Sequence, residues 1–194
     1  MNDDCFLNWR LIGQGNERFC YLDPIKNNRC IKVSKLNRSK QSKREIRYFS
    51  LLKKREVPFL LIPEFYGVIR SSDYLGIEQE VILNSDGSPC ENVEGHIERY
   101  CKTESDELRL LNAMNELKLY LLMYNIIPCD LMLSNILIKI DYNTTIWKAY
   151  LIDGFGSAQV IPYHDYIPFL GRKKIERKWN LFINKRVKPL LKYI

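Results

Sequence analysis

Three polar side chains interrupt two apolar runs in the second half of the chain. The first run, IIPCDLMLSNILIKI, carries Asp130 and Asn135, and the second, AYLIDGFG, carries Asp153. A carboxylate among apolar groups is costly unless it is neutralised or binds a cation. We therefore expect a fold in which these side chains sit on loops that hang from core strands, with a cation and a ligand to neutralise them.

The composition is that of a chain with a substantial core. The 194 residues are 46% hydrophobic and carry a formal net charge of +7, which predicts one domain or two small lobes rather than a disordered chain. The charge fits a polyanionic partner or an ordinary basic surface, and the second interpretation is favoured because a modest charge says little about function. Lys and Arg are spread along the chain, which does not favour nucleic acid as the partner.

Cysteine usage and hydropathy bear on the compartment. The start, MNDDCFLNWR, is acidic, and no stretch approaches the roughly 20 apolar residues of a membrane span. None of the six cysteines forms a Cys-x-x-Cys pair, and several lie in apolar strand-like segments, as reduced buried thiols do. The sequence predicts a soluble cytoplasmic protein without a membrane span.

Secondary-structure signals divide the chain into a strand-rich first part and a helical second part. NWRLIGQGN, ERFCYLD and RCIKVS predict strands, and GVIRSSDYLGIEQEVIL predicts two more around a turn. SKQSKREIRYFSLLKK predicts a helix that Ser39 or Ser42 caps. The turn-rich NSDGSPCEN is the predicted boundary, which gives an N-terminal lobe of residues 1–88 and a C-terminal lobe of residues 89–194.

The second part opens with a long predicted helix, TESDELRLLNAMNELKLYLLMYNI, with Thr103 or Ser105 as its cap. Its apolar residues recur at intervals of three and four, at Leu108, Leu111, Met114, Leu117 and Leu121. Two short strands follow, ILIKI and TIWKAYLID. The segment GRKKIERKWNLFINKRVKPLLKYI predicts one or two basic amphipathic helices, with a buried stripe of Ile175, Trp179 and Phe182 and a free basic face.

Two features of the first part suit an anionic ligand. Gly13 and Gly15 form a G-x-G turn between strands, which lets backbone N–H groups approach a phosphate, although such turns are common in hairpins. Lys32 lies inside a strand, either as a solvated lysine or pointing at the ligand. Glu45 shares the apolar face of the first helix and needs a cation. Lys32 is favoured as that cation over a surface pair with Arg44 or Lys53.

The three polar residues of the second part complete a site for phosphoryl transfer. An Asn and an Asp, here Asn135 and Asp153, can hold Mg²⁺ through hard oxygen ligands. The remaining Asp130 can orient or deprotonate a hydroxyl. With Lys32 and the Gly-rich turn on the phosphates of ATP, the ordered set predicts phosphoryl transfer in the protein-kinase manner. Taken one at a time, these residues also have ordinary structural explanations. Asp130 and Asp153 could each form an Asx turn, and Asn135 could cap a loop.

At these residues the sequence resembles the protein-kinase-like superfamily, and more closely the YrbL family, bacterial kinase-like proteins associated with the PhoP regulatory network. The resemblance covers most of residues 8–186, in the stretches IGQGNERFCY, CIKVSK, REIRYFSLL, IPEFYGVI, ILNSDGSPCENVEGHI, CDLMLSNIL and LIDGFGS. It implies an α+β, two-lobed protein-kinase-like fold. The N-lobe is small and β-rich with one helix, the C-lobe is minimal and helical, and the nucleotide lies in the cleft.

The resemblance also implies a role for each site residue. Lys32 takes the strand-lysine role with Glu45 as its partner, and Asp130 is the catalytic-loop Asp. Asn135 and Asp153 are the metal ligands. Main-chain groups around Val81, Ile82 and Leu83 meet the adenine.

Departures from the family pattern leave two functions open. Pro128 and Cys129 stand where kinases have His-Arg, and Met132 stands where a Lys or His is often found. The 38 residues after Gly156 are too few for a full activation segment and the helical platform that docks protein substrates. Regulation by activation-loop phosphorylation is therefore not expected. One interpretation is a phosphotransferase that uses ATP and Mg²⁺ on a non-protein or unusual acceptor. The other is a pseudokinase that acts by binding a nucleotide or a protein partner.

Overall fold

The structure, a computed structural model, describes residues 5–15, 17–156 and 167–194. The chain divides into two compact units. The first comprises Met1–Phe59 and Pro63–Val81, and the second comprises Leu60–Ile62 and Ile82–Ile194.

The first unit is built on an antiparallel five-stranded sheet in the order β1-β2-β3-β5-β4. The strands are β1 (Leu11–Gln14), β2 (Phe19–Leu22), β3 (Arg29–Lys35), β4 (Phe65–Arg70) and β5 (Tyr74–Glu80). Helix α1 spans Lys40–Lys54. β3 lies between β2 and β5, and five consecutive β3 residues are buried, as expected of a strand that is covered on both faces. The predicted strands and helix of this part are confirmed.

Helix α1 packs through the face that its periodicity predicts. Phe49 is fully buried, with its ring stacked on Phe65 at 5.0 Å and on Phe59 at 6.0 Å between ring centroids. The predicted position of the cap is confirmed at Ser39, but its side chain makes no capping hydrogen bond. Ser39 occupies the N-cap position, but its hydroxyl donates to the carbonyl of Leu36, and Ser42 lies within the helix and accepts a hydrogen bond from Ser34. Both hydroxyls are therefore engaged with other groups.

The second unit combines a three-stranded sheet with helices. The strands are β6 (Glu91–Asn92), β7 (Ile136–Asp141) and β8 (Ile146–Leu151), and the helices are α2 (Val93–Tyr100), α3 (Glu104–Met123) and α4 (Pro168–Phe182). β7 and β8 form the predicted hairpin, in register from Ile136 opposite Leu151 to Asp141 opposite Ile146. The loops that precede β7 and follow β8 therefore leave the same end of the hairpin. The periodicity did not predict α2, which is only 8 residues long.

Helix α3 begins with a capping box in which Thr103 accepts from the N–H of Asp106 and Asp106 accepts from that of Thr103. Its buried residues include Leu110, Ala113, Met114, Leu117, Tyr120 and Leu121. Leu108, predicted on this face, is 47% exposed. At about 100° per residue, Leu108 lies roughly 160° from Leu110 around the helix, on the opposite side.

A buried carboxylate on α3 holds the last residues of the chain. Glu107 is 1% exposed. Its oxygens accept the backbone N–H groups of Lys192 at 2.7 Å, Tyr193 at 3.0 Å and Ile194 at 3.1 Å. Three N–H donors satisfy the charge of a carboxylate that has little access to water.

Helix α4 packs as its apolar stripe predicts, because Ile175, Trp179 and Phe182 are all buried. A π turn, Ile183–Val187, and a 3₁₀ turn, Lys188–Leu190, continue it. Near its start, Gly171 lies so close to Asn125 that a Cβ at position 171 would be 2.0 Å from Asn125 Oδ1. Only glycine permits this approach. None of the described helices is long and apolar enough to cross a membrane.

His96 on α2 is an ionisable side chain in an apolar environment. It is fully buried, its ring packs edge-on against Trp147 at 4.3 Å between centroids, and neither ring nitrogen has a hydrogen-bond partner among the described residues. Burial lowers the pKa of His96 from 6.5 to about 4, and Asp106 opposes this only in part. The fold therefore holds the neutral imidazole.

We expect the second unit to lose stability in mild acid through His96. The pKa is lower in the folded state than in the unfolded state, so the stabilisation is present above pH 6.5 and is lost as the pH falls toward 4. The loss amounts to roughly 3 kcal/mol. The free energy of unfolding, measured from pH 7.5 to 4.5, should fall more steeply for the wild type than for His96→Phe. Parallel curves for the two proteins would contradict this assignment.

Candidate active site

The three polar residues of the second unit come together at one end of the β7–β8 hairpin. The N–H of Cys129 donates to the carbonyl of Gly154 at 2.5 Å, and the N–H of Gly156 donates to Ile127 at 3.0 Å. The N–H of Ile152 donates to the carbonyl of Asn135 at 2.9 Å. The loop of Asp130 is thus hydrogen-bonded to the turn of Asp153 on one side and continues into Asn135 on the other.

The environment of Asp130 differs from the expectation. The apolar neighbours in sequence suggested that a cation and a ligand must neutralise buried carboxylates, but Asp130 is exposed, whereas Asn135 and Asp153 are half-buried. The adjacent Ile126, Ile127, Pro128 and Leu131 are the buried residues. They anchor the loop while its carboxylate stays in water, where a substrate can reach it.

Gly154 explains why a glycine follows Asp153 directly. Its φ is +79°, and a Cβ at this position would be 2.7 Å from the carbonyl oxygen of Asp130 and 3.3 Å from Asn135 Nδ2. A side chain would force the two loops apart and would also strain the backbone. The first glycine of the DGFG turn therefore permits close contact between the three site residues.

The donor atoms around Asn135 and Asp153 suit Mg²⁺. Asn135 Nδ2 donates to the carbonyl of Asp130 at 3.3 Å, which orients the side-chain amide and turns its oxygen away from that carbonyl. Asp153 Oδ1 accepts the N–H of Gly154 at 2.5 Å, which fixes its carboxylate. The described residues contain no group of three or more His, Cys, Asp or Glu arranged as a metal site. An amide and a carboxylate match Mg²⁺, which is commonly held by one or two carboxylates with substrate phosphates and waters.

Cys129, the residue before Asp130, has hydrogen bonds at both of its backbone polar groups. Its N–H donates to the carbonyl of Gly154, and its carbonyl accepts a hydrogen bond from Lys178 Nζ of α4. The prediction of a free basic face on α4 is therefore wrong for Lys178, which is half-buried against the Asp130 loop. The available signal was its position at the edge of the buried stripe, three residues after Ile175.

In the first unit, Glu45 is shared between two cations. Lys32 Nζ lies 3.8 Å from Glu45 Oε1, and Arg18 donates a hydrogen bond to Glu45 Oε2. Lys32 is 8% exposed and Glu45 1% exposed. The proximity of Lys32 to Glu45 agrees with the expectation, whereas neither Arg44 nor Lys53 takes that place. Arg18 was not foreseen.

Arg18 belongs to the Gly-rich turn itself. The N–H of Gly15 donates to the carbonyl of Arg18 at 2.8 Å, and Gly13 pairs with Cys20 across the β1–β2 ladder. In the segment GQGNER, Arg18 takes the place of the third glycine of a G-x-G-x-x-G loop. This substitution was a readable signal of a special role.

The segment predicted to meet adenine has part of its backbone already bonded. The N–H of Val81 donates to the carbonyl of Asn28 at 2.9 Å. In the second unit Ile82 is buried, and Leu83 forms a bridge with Pro89. Adenine contact by Val81, Ile82 and Leu83 stays a prediction, and the N–H of Val81 is not among the groups that could make it.

Comparison with a solved structure supports the fold. A solved structure of the protein kinase Rad53, residues 1–466 in complex with AMP-PNP, is similar with a TM-score of 0.52 and 16% identity, over 75% of this chain and 38% of that one. The fold is therefore α+β and kinase-like, as predicted. The chain spans well under half of Rad53.

The family follows from sequence similarity. The model of the family described as PhoP regulatory network protein YrbL matches residues 7–187. The chain is 29% identical over 176 residues to the uncharacterized protein YrbL of Escherichia coli (strain K12), and equally to that of Shigella flexneri, covering 89% of this chain and 82% of those proteins. The chain belongs to the YrbL family, which confirms the resemblance that its motifs indicate.

Proposed function

We propose that this protein is a phosphotransferase that depends on ATP and Mg²⁺ and acts on a non-protein or unusual acceptor. The main support is the junction of the Asp130 loop with the Asp153 turn. Backbone hydrogen bonds and the close approach of Gly154 bring together Asp130, the proposed general base, and Asn135 and Asp153, the proposed oxygen ligands. Such preorganisation is what phosphoryl transfer requires of a protein, since its catalysis is mainly positioning and electrostatics.

The proposed roles follow from the contacts of each residue. Asp130 is exposed, and its loop is anchored by buried neighbours. Its carboxylate accepts the proton of the acceptor hydroxyl while the oxygen of that hydroxyl forms a bond to the γ-phosphorus. The bond from that phosphorus to the bridging oxygen breaks, and ADP leaves. Lys32, positioned beside Glu45, binds phosphate oxygens. The turn of Gly13 and Gly15 lets the backbone come close to them, while the N–H of Gly15 itself is bonded to Arg18. Asn135 and Asp153 would hold Mg²⁺, which supplies charge neutralisation on the phosphates.

One observation favours the alternative of a pseudokinase. Met132 is 37% exposed on the loop that carries Asp130, so the loop presents a thioether where a cation would assist transfer. A pseudokinase would bind the nucleotide or a partner without turnover. ATP turnover with and without cell extract distinguishes the two functions, because binding without turnover under every condition favours the pseudokinase.

We expect ATP with Mg²⁺ to raise the melting temperature of the wild type. A ligand that binds only the folded state stabilises it by roughly 2.7 kcal/mol at a hundredfold excess over Kd. Asp153→Asn should remove most of the magnesium-dependent part of this shift, because it removes a charged oxygen ligand. Thermal-shift titrations with ATP, with and without Mg²⁺, measure the difference.

The matched control is Asp141→Asn, since Asp141 ends β7 at the opposite end of the hairpin. Its magnesium-dependent shift should equal that of the wild type. An Asp153→Asn protein with an undiminished magnesium-dependent shift would show that Asp153 is not a metal ligand.

A further inference from the structure

We propose that Lys178 supplies positive charge to the phosphoryl group during its transfer. This inference rests on the proposed function and assigns that reaction a residue from the C-terminal helix. The observation that carries it is the hydrogen bond from Lys178 Nζ to the carbonyl of Cys129, the residue immediately before Asp130. The contact joins residues 49 positions apart in the chain.

Two contacts fix α4 along the segment that leads into the Asp130 loop. Gly171 lies against Asn125, and Lys178 reaches Cys129. Seven residues, close to two helical turns, separate Gly171 from Lys178, so both project from the same face. The chain from Asn125 to Cys129 therefore runs along this face. The Lys178 ammonium is held beside the Asp130 loop by its hydrogen bond to Cys129 and by the half-burial of its side chain.

The chemistry of the site calls for a cation at this point. Phosphoryl transfer spreads negative charge over the equatorial oxygens of the transferring group, and fixed cations stabilise it. On the Asp130 loop, position 132 is occupied by a methionine, which carries no positive charge. An ammonium group has three N–H donors, so Lys178 can donate to the carbonyl of Cys129 and still donate to a phosphate oxygen. The acceptor hydroxyl must meet Asp130 and the phosphorus together, which places the transferring group beside this loop.

The same contact also serves a purely structural role, which a choice of variants separates from the catalytic one. Lys178→Gln removes the charge and keeps an N–H donor for the carbonyl of Cys129. Lys178→Met removes both, and Lys178→Arg keeps both. The matched control is Lys173→Gln on the same helix, because Lys173 is exposed and its ammonium lies over the ring of Phe169 at 4.3 Å. It makes the same change in net charge away from the loop.

The test measures ATP turnover together with the affinities for ATP and ADP in the presence of Mg²⁺. Lys178→Gln should lower kcat by about 10²-fold, the effect of losing one preorganised donor. It should also weaken binding of ATP relative to ADP, because only ATP carries the group that Lys178 contacts. Lys178→Arg should retain most of the activity, and Met132→Lys should restore part of it to Lys178→Gln. Lys173→Gln should behave as the wild type.

The failures of the two proposals are distinguishable. If the wild type turns over ATP and Lys178→Gln has the same kcat and the same preference for ATP over ADP, the role of Lys178 is overturned. The proposal of a phosphotransferase is then unaffected. Equal losses of ATP and ADP binding, or a loss of activity in Lys178→Met that Lys178→Gln does not share, assign Lys178 a structural role and overturn the inference. A wild type that does not bind ATP with Mg²⁺ overturns both. If Lys178→Met does not fold, the Gln and Arg variants decide the question.

Discussion

Asparagine in place of Asp130 is expected to lower phosphoryl transfer by about 10²- to 10⁴-fold while leaving nucleotide binding nearly intact. The carboxylate is exposed, and the contacts that hold its loop are made by backbone groups and by the buried neighbours. The amide has almost the same shape, so the loop should keep its conformation. What is lost is the ability to accept the proton of the acceptor hydroxyl. Single-turnover kinetics with saturating ATP measure the loss.

Thermal-shift titration with ATP and Mg²⁺ provides the control for this variant. Its ligand-induced shift should match that of the wild type, and Asp141→Asn should match it in both turnover and shift. An Asp130→Asn protein that is folded but no longer binds ATP would make Asp130 a binding residue and would require different roles for the whole site.

Alanine in place of Trp179 is expected to destabilise the protein by about 3–5 kcal/mol. The side chain is 3% exposed and contacts the ring of Phe182 in a T-shaped arrangement at 6.0 Å between centroids. Its removal leaves a large cavity beneath α4, and the neighbouring Met114 is buried and cannot fill it without rearrangement. Urea denaturation of the wild type and the variant measures the change in the free energy of unfolding.

Leu181→Ala on the same helix is the matched control, because Leu181 is 50% exposed. Its effect should be within about half a kcal/mol, as for most surface substitutions. A similarly small effect for Trp179→Ala would mean that α4 does not pack on the second unit through this stripe. The comparison separates a loss of packing from a loss of helix propensity, since both variants place alanine in α4.

Local features of the sequence predicted much of the fold. Alternating and periodic apolar residues predicted α1, α3, α4 and every strand except the two-residue β6, because the spacing of apolar residues shows which face of an element is buried. The proximity of Lys32 to Glu45 was also predictable, since a carboxylate on an apolar helix face needs a buried cation. The order of Asp130, Asn135 and Asp153 around a strand hairpin predicted that these three residues meet.

The features that escaped prediction depend on contacts between distant residues. Lys178 binds a backbone carbonyl, and every residue has one, so no sequence pattern indicates the partner. Arg18 stands at an unusual place in the Gly-rich turn, but its partner Glu45 is 27 positions away in the chain, so the sequence does not indicate the contact. Leu108 was misplaced because several apolar stripes can be drawn on one leucine-rich helix, and tertiary packing selects among them.

Glu107 binds the last three residues of the chain through their backbone N–H groups and not through their side chains. All three of its hydrogen bonds come from amide nitrogens, so the identities of Lys192, Tyr193 and Ile194 do not matter to it. Proline is the exception, since it lacks an N–H. The carboxylate itself has no such freedom. Glutamine would turn one of the two accepting oxygens into a donor, and an apolar residue at position 107 would leave all three amides without their acceptor. Substitution therefore costs this contact little at the last three residues and much at Glu107.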